Sequence, residues 1–139
     1  MDFEAARVKM VDTQVRTTDV TSHSVLTAFL TVPREAFVPE KAKLLAYIDN
    51  DVEISAAAPG KPARFLMEAS PLAKLLQLAA ITKDDFVLEV GCGTGYTSAL
   101  LSIIAGSVIA LECDETLATE AKAQLAGYAK VEVVTGPLE

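Results

Sequence analysis

Tryptophan is absent, histidine occurs once (His23), and the only cysteines are Cys92 and Cys113. Two cysteines and one histidine supply neither a disulfide framework nor a four-ligand zinc site, so no metal centre is expected. Both thiols sit in apolar strand-end contexts and read as reduced, which suits a cytosolic protein. No uninterrupted apolar run reaches the ~18 residues of a membrane span. The start, Met1-Asp2-Phe3-Glu4-Ala5-Ala6-Arg7, lacks the basic region and long apolar core of a signal peptide. Positive charge is scarce as well: 12 Lys and Arg face 19 Asp and Glu, a net charge of −7. Neither a nucleic-acid backbone nor an anionic membrane is the expected partner of such a chain.

What is present is aliphatic. Of the 139 residues, 51% are hydrophobic and only 6% aromatic, which suits helices around buried aliphatic strands in one domain. Within that single domain, residues 1–81 read as helices with a short hairpin. Residues 82–139 read as alternating strands and helices.

Phe3, Ala6, Val8, Met10, Val11 and Val15 recur at loose helical spacing, and Thr17-Thr18-Asp19 breaks the pattern. A second helix is expected from Thr21 or Ser22 as N-cap, with Val25, Leu26, Phe29 and Leu30 inward and Pro33 as its stop. In Val32-Pro33-Arg34-Glu35-Ala36-Phe37-Val38-Pro39, two prolines fix the path and Phe37 and Val38 anchor it. Lys41 to Tyr47 is weakly helical, and Ile48-Asp49-Asn50-Asp51 reads as a turn. Val52 to Ile54 and Arg64 to Met67 are short strands, with Ser55 to Pro62 a mobile loop between them. Ser70 and Pro71 suit the N-cap and first position of a helix whose inward face is Leu72, Leu75, Leu76 and Ala79.

From Thr82 the pattern is strand (Phe86 to Val90), helix (Thr97 to Ile104), strand (Ser107 to Leu111), helix (Glu115 to about Tyr128) and strand (Val131 to Val134). This βαβαβ order predicts an α/β fold with a parallel sheet and right-handed crossovers. A doubly wound sheet has about six strands, and its ligand crevice lies where strand order reverses. Only three strands are present, so the sheet is read as truncated after strand three, the chain being part of a longer protein or a shortened one. The outer edge of the first strand is then apolar and open, and a homodimer through it is expected.

The first strand runs into Gly91-Cys92-Gly93-Thr94-Gly95-Tyr96. Glycines there let backbone pass close under a ligand, and the following helix presents its positive end. Spacing narrows the choice. The dinucleotide fingerprint needs glycine at the sixth place, where Tyr96 stands, and the phosphate-binding loop needs a lysine that does not follow Gly95. What remains is acidic: Glu89 before the turn and Glu112 at the end of the second strand, 21 residues beyond Gly91, placed for a ribose diol. A ligand with a ribose, no phosphate and a positive centre fits such a pocket, and S-adenosyl-L-methionine is one. The candidate cofactor-binding residues are Glu89, Gly91, Cys92, Gly93, Thr94, Gly95, Tyr96, Glu112 and Cys113.

Val87-Leu88-Glu89-Val90-Gly91-Cys92-Gly93-Thr94-Gly95-Tyr96 resembles motif I of class I methyltransferases. The Val32-to-Pro39 run, with Val25 to Ala28 before it and Ala46-Tyr47-Ile48-Asp49 after it, resembles the protein-L-isoaspartate O-methyltransferase family. The resemblance covers roughly residues 8 to 136. It implies N-terminal helices packed on a Rossmann-like methyltransferase sheet, and methyl transfer to the α-carboxyl of isoaspartyl residues in damaged proteins. It also implies a transfer-site serine before a proline; with Pro71 as that proline, Ala69 stands in the serine's place and Ser70, adjacent, is the candidate catalytic residue. A second departure is Thr135-Gly136-Pro137, where the family carries an adenine-contacting Asp. An S-adenosylmethionine-binding relative without catalysis, used as a sensor or interaction module, is therefore the alternative. An oxidoreductase is disfavoured by Tyr96.

Overall fold

A computed structural model describes residues 1–137 and divides the chain at Ile81 into two compact units, Met1–Ile81 and Thr82–Glu139. The change of pattern at Thr82 coincides with the boundary between these units.

The first unit begins with helix α1 (Phe3–Met10), capped by the Asp2 carboxylate, which accepts from the Ala5 amide. It does not stop at Met10. Val11–Val15 continue as a π-helical turn and Arg16–Thr18 as a 3₁₀ turn, ending at left-handed Asp19 with φ 66°. The loose spacing in the sequence has its cause in this change of helical pitch, which turns Met10, Val11 and Val15 inward together. Val8, part of the same apolar pattern, is exposed. Helix α2 (His23–Thr31) takes Ser22 as N-cap, and the amides of Thr21 and Ser22 both donate to Gln77 Oε1 at 2.8 Å. Val25, Leu26, Ala28 and Phe29 form its buried face.

After Pro33, a 3₁₀ turn over Arg34–Phe37 buries Phe37, and a second covers Glu40–Leu45. Strands β1 (Val52–Ser55) and β2 (Arg64–Leu66) pair antiparallel, Val52 opposite Leu66. The connecting loop holds an organised turn, in which Ala58 and Lys61 exchange both backbone hydrogen bonds. Helix α3 (Ala69–Leu78) starts one residue before Ser70, with Glu68 at the N-cap position and no side-chain cap. Ser70 is therefore not the N-cap. Pro71 is accommodated because first-turn amides have no intrahelical partner to lose. Its inward residues are Leu72, Ala73 and Leu76, whereas Leu75, expected inward, is 55% exposed.

In the second unit, β3 (Phe86–Val90), α4 (Tyr96–Ile104), β4 (Ser107–Glu112), α5 (Glu115–Gln124) and β5 (Val131–Thr135) form a parallel three-stranded sheet in the order β3-β4-β5. Its register places Leu88 beside Ile109 and Glu89 beside Ala110. The turn from α4 into β4 is tight, since a Cβ on Gly106 would stand 2.4 Å from the Lys83 carbonyl oxygen. Val108, Ala110 and Glu112 are buried on the face that the helices cover. On the opposite face of β3, Phe86, Leu88 and Val90 are 68%, 60% and 55% exposed. No described helix is long and apolar enough to cross a membrane.

Candidate functional site

The glycine turn joins the end of β3 to the start of α4, at the carboxyl edge of the sheet. Gly91, Gly93 and Gly95 all have positive φ, at 78°, 59° and 100°. Gly95 is also crowded, because a Cβ would lie 2.7 Å from Leu125 Cδ1 and that side chain would have to shift. It serves as N-cap of α4, with the Ala99 amide donating to its carbonyl at 3.0 Å. The turn is tied back to the sheet by the Gly91 and Cys92 amides, which donate to Leu111 O at 2.7 and 3.1 Å.

Glu112 is the centre of this arrangement. It is 0% exposed, and its two carboxylate oxygens accept from different backbone amides, Gly93 N to Oε1 at 2.8 Å and Asp114 N to Oε2 at 2.9 Å. Asp114 in turn caps α5, accepting from the Thr116 and Leu117 amides at 2.9 and 3.1 Å. One buried carboxylate thus joins the turn above β3 to the helix start above β4. A solvated strand-end acid it is not.

Glu89 lies beneath the turn with its carboxylate accepting from the Ser98 hydroxyl. Burial is the main influence on it; the Ser98 hydrogen bond works the other way, and the charge of Glu112 adds to burial. The net effect raises Glu89 from an ordinary 4.5 to about 7. Cys92, Thr94 and Tyr96 are buried, and Tyr96, with no exposed surface, places its ring in the core. Cys113 is exposed and Cys92 buried, both as free thiols. Every candidate cofactor residue therefore falls in one cluster of the second unit. Ser70 falls in the first unit, inside the opening turn of α3. His23 is exposed, and no described group of His, Cys, Asp and Glu is arranged to hold a metal.

Ser98 and Asp114 are site-supporting residues that the sequence reading did not single out. Asp114 had a signal, an Asp directly before an acidic first turn. Ser98 had none, because the register that turns it toward Glu89 is a property of the folded unit.

Chemically, the turn offers a backbone edge without Cβ atoms, underlain by two carboxylates. A phosphate set there would meet Glu112 and, near neutral pH, Glu89, so like charge opposes it. Hydroxyl donors and cationic centres are favoured. Fold and turn together define the first half of a Rossmann-like class I methyltransferase sheet.

The family model of protein-L-isoaspartate(D-aspartate) O-methyltransferase matches residues 5–136. The chain belongs to that family. A protein-L-isoaspartate O-methyltransferase of Koribacter versatilis is 36% identical over 136 residues, covering 96% of this chain and 59% of the relative. A solved protein-L-isoaspartate O-methyltransferase superposes with a TM-score of 0.81 at 26% identity, covering 94% of this chain and 42% of that one. A Plasmodium falciparum structure in complex with S-adenosyl-L-homocysteine shares the fold with a TM-score of 0.72 at 16% identity, covering 99% of this chain and 64% of that one. The chain spans little more than half the length of the curated relatives it matches.

The raised Glu89 has a thermodynamic consequence. Between its unfolded and folded values the native state holds more protons, so stability is greatest below about pH 4.5 for this group and falls as pH rises to about 7. Glu89→Gln retains an acceptor for Ser98 and removes the buried charge. Discounted for partial exposure, it should exceed the parent in stability by on the order of 2 kcal/mol at pH 8 and match it near pH 4. Urea denaturation across that range checks this, and a difference independent of pH would contradict it.

Proposed function

We propose that the chain carries the cofactor-binding half of an S-adenosyl-L-methionine-dependent O-methyltransferase that methylates the α-carboxyl of isoaspartyl residues in proteins or peptides. The observation that carries the cofactor reading is the acidic glycine turn, with Gly91 exposed at its start, Glu112 hydrogen-bonded to Gly93 and Glu89 bonded to Ser98 at the start of the helix that follows. Family membership over residues 5–136 supports the acceptor. The Glu112 carboxylate, which holds the Gly93 and Asp114 amides, is the acceptor we assign to the ribose hydroxyls. Gly91 and Gly93 allow close backbone approach; Cys92, Thr94, Gly95, Tyr96 and Cys113 shape the turn and its flank.

Bound S-adenosylmethionine supplies a methyl group made electrophilic by the sulfonium. A carboxylate acceptor is already ionised at neutral pH, so no side chain has to remove a proton. The chain's part is to bind, orient and exclude water. Ser70 is the candidate on the acceptor side; its hydroxyl is not used as the cap of α3. A cytoplasmic setting accords with two free thiols. The net charge of −7 disfavours nucleic-acid or membrane partners.

A second reading has its own support. Ala69 in the serine's place and Pro137 in the adenine-facing segment favour a relative that binds S-adenosylmethionine as a sensor or interaction module without transferring the methyl.

Calorimetric titration with S-adenosylmethionine and S-adenosylhomocysteine, followed by a transfer assay on an isoaspartyl peptide, separates these. Binding with transfer is expected of the full-length protein, and Glu112→Ala should weaken binding by about 1–3 kcal/mol. Binding without transfer selects the second reading. No binding of either compound contradicts both.

We also propose that the apolar β3 edge and its exposed residues Phe86, Leu88 and Val90 support a homodimer. Sedimentation should show a dimer that Leu88→Lys weakens; a monomeric parent would contradict it.

A further inference from the structure

Arg34 is fully buried, and two of its guanidinium nitrogens donate to carbonyl oxygens. Nε donates to Ala46 O at 2.5 Å and Nη2 to Met67 O at 3.0 Å, while the Arg34 backbone amide donates to the Tyr47 hydroxyl at 3.1 Å. A buried guanidinium is tolerated only where its fork of donors is met in fixed directions. This one is directed at the segment that follows β2.

The Met67 carbonyl belongs to the same planar peptide group as the Glu68 amide. That amide donates to Asp51 Oδ1 at 2.8 Å. One peptide group is thus held at both poles, by buried Arg34 at its oxygen and by exposed Asp51 at its nitrogen. It lies between Leu66, the last residue of β2, and Ala69, the first of α3. Since no side chain caps α3, this clamp takes the cap's place in setting how the chain enters the helix. Burial of Arg34 also serves stability. Asp51 does not share that explanation, because it is exposed and outside the core.

We propose that Arg34 and Asp51 are positioning residues for the methyl-accepting side of the reaction. By locking the Met67–Glu68 peptide they set the direction in which Ala69 and Ser70 leave β2, so that a short side chain can be placed against an acceptor carboxylate. This rests on the methyltransferase reading above and names the residues that shape its acceptor segment.

The test uses the full chain with Asp51→Ala, Asp51→Asn and Arg34→Lys. Three quantities are read: amide hydrogen exchange at Glu68, steady-state transfer to an isoaspartyl peptide, and calorimetric affinity for S-adenosylhomocysteine. Asp51→Ala should accelerate Glu68 exchange at least about tenfold. It should lower kcat roughly 10- to 100-fold with cofactor affinity within about twofold of the parent. Asp51→Asn keeps the accepting oxygen and should restore both to within about threefold. Arg34→Lys, with one ammonium for two carbonyls, should follow Asp51→Ala; if it fails to fold, the Asp51 pair decides alone. Faster Glu68 exchange with parental kcat would overturn the positioning role, as would an equal loss of kcat and cofactor affinity. A parent that transfers no methyl overturns this inference together with the functional reading. That outcome is recognised by the parent's own zero rate.

Discussion

A single buried carboxylate holds the second unit's working edge together. Glu112 cannot remain buried unless its oxygens are met, and its partners include two backbone amides on different connections. Through Gly93 it shapes the turn, and through Asp114 it fixes the start of α5. The Leu125 side chain near the end of α5 then closes on Gly95, where a Cβ would force it to shift. Turn, second strand and second helix are therefore mutually dependent.

The same constraint explains the character of the site. Burial raises Glu89, the charge of Glu112 nearby adds to it, and Glu89 holds its proton to about pH 7. A glycine-rich turn is often read as a place for phosphate. Here the floor beneath it is acidic, and the Gly93 amide that might have faced an anion is already given to Glu112. The geometry selects against phosphate and for a ribose with a cationic neighbour.

Much of this was legible in the sequence where local rules decide. The βαβαβ succession followed from apolar runs and helix caps, the boundary at Thr82 from a change of period, and the turn from its glycines. The failures are of one kind. Leu75 was placed inward by helical spacing, but it is exposed while Leu72, Ala73 and Leu76 face the core. Ser70 has the chemistry of an N-cap, yet α3 starts at Ala69 with Glu68 at the cap position. Arg34 stood in a motif that marked a family, but nothing local showed that its side chain would cross to Met67. Such contacts depend on distant segments meeting, and a linear pattern does not carry them.

The central claim is that Glu112 shapes the turn before any ligand arrives. Amide hydrogen exchange on the ligand-free chain tests it most directly. The Gly93 and Asp114 amides, though in connections, should exchange at least about tenfold more slowly than unprotected amides, and both should lose that protection in Glu112→Ala. Exchange at the unprotected rate in the parent, or protection that survives Glu112→Ala, would contradict it.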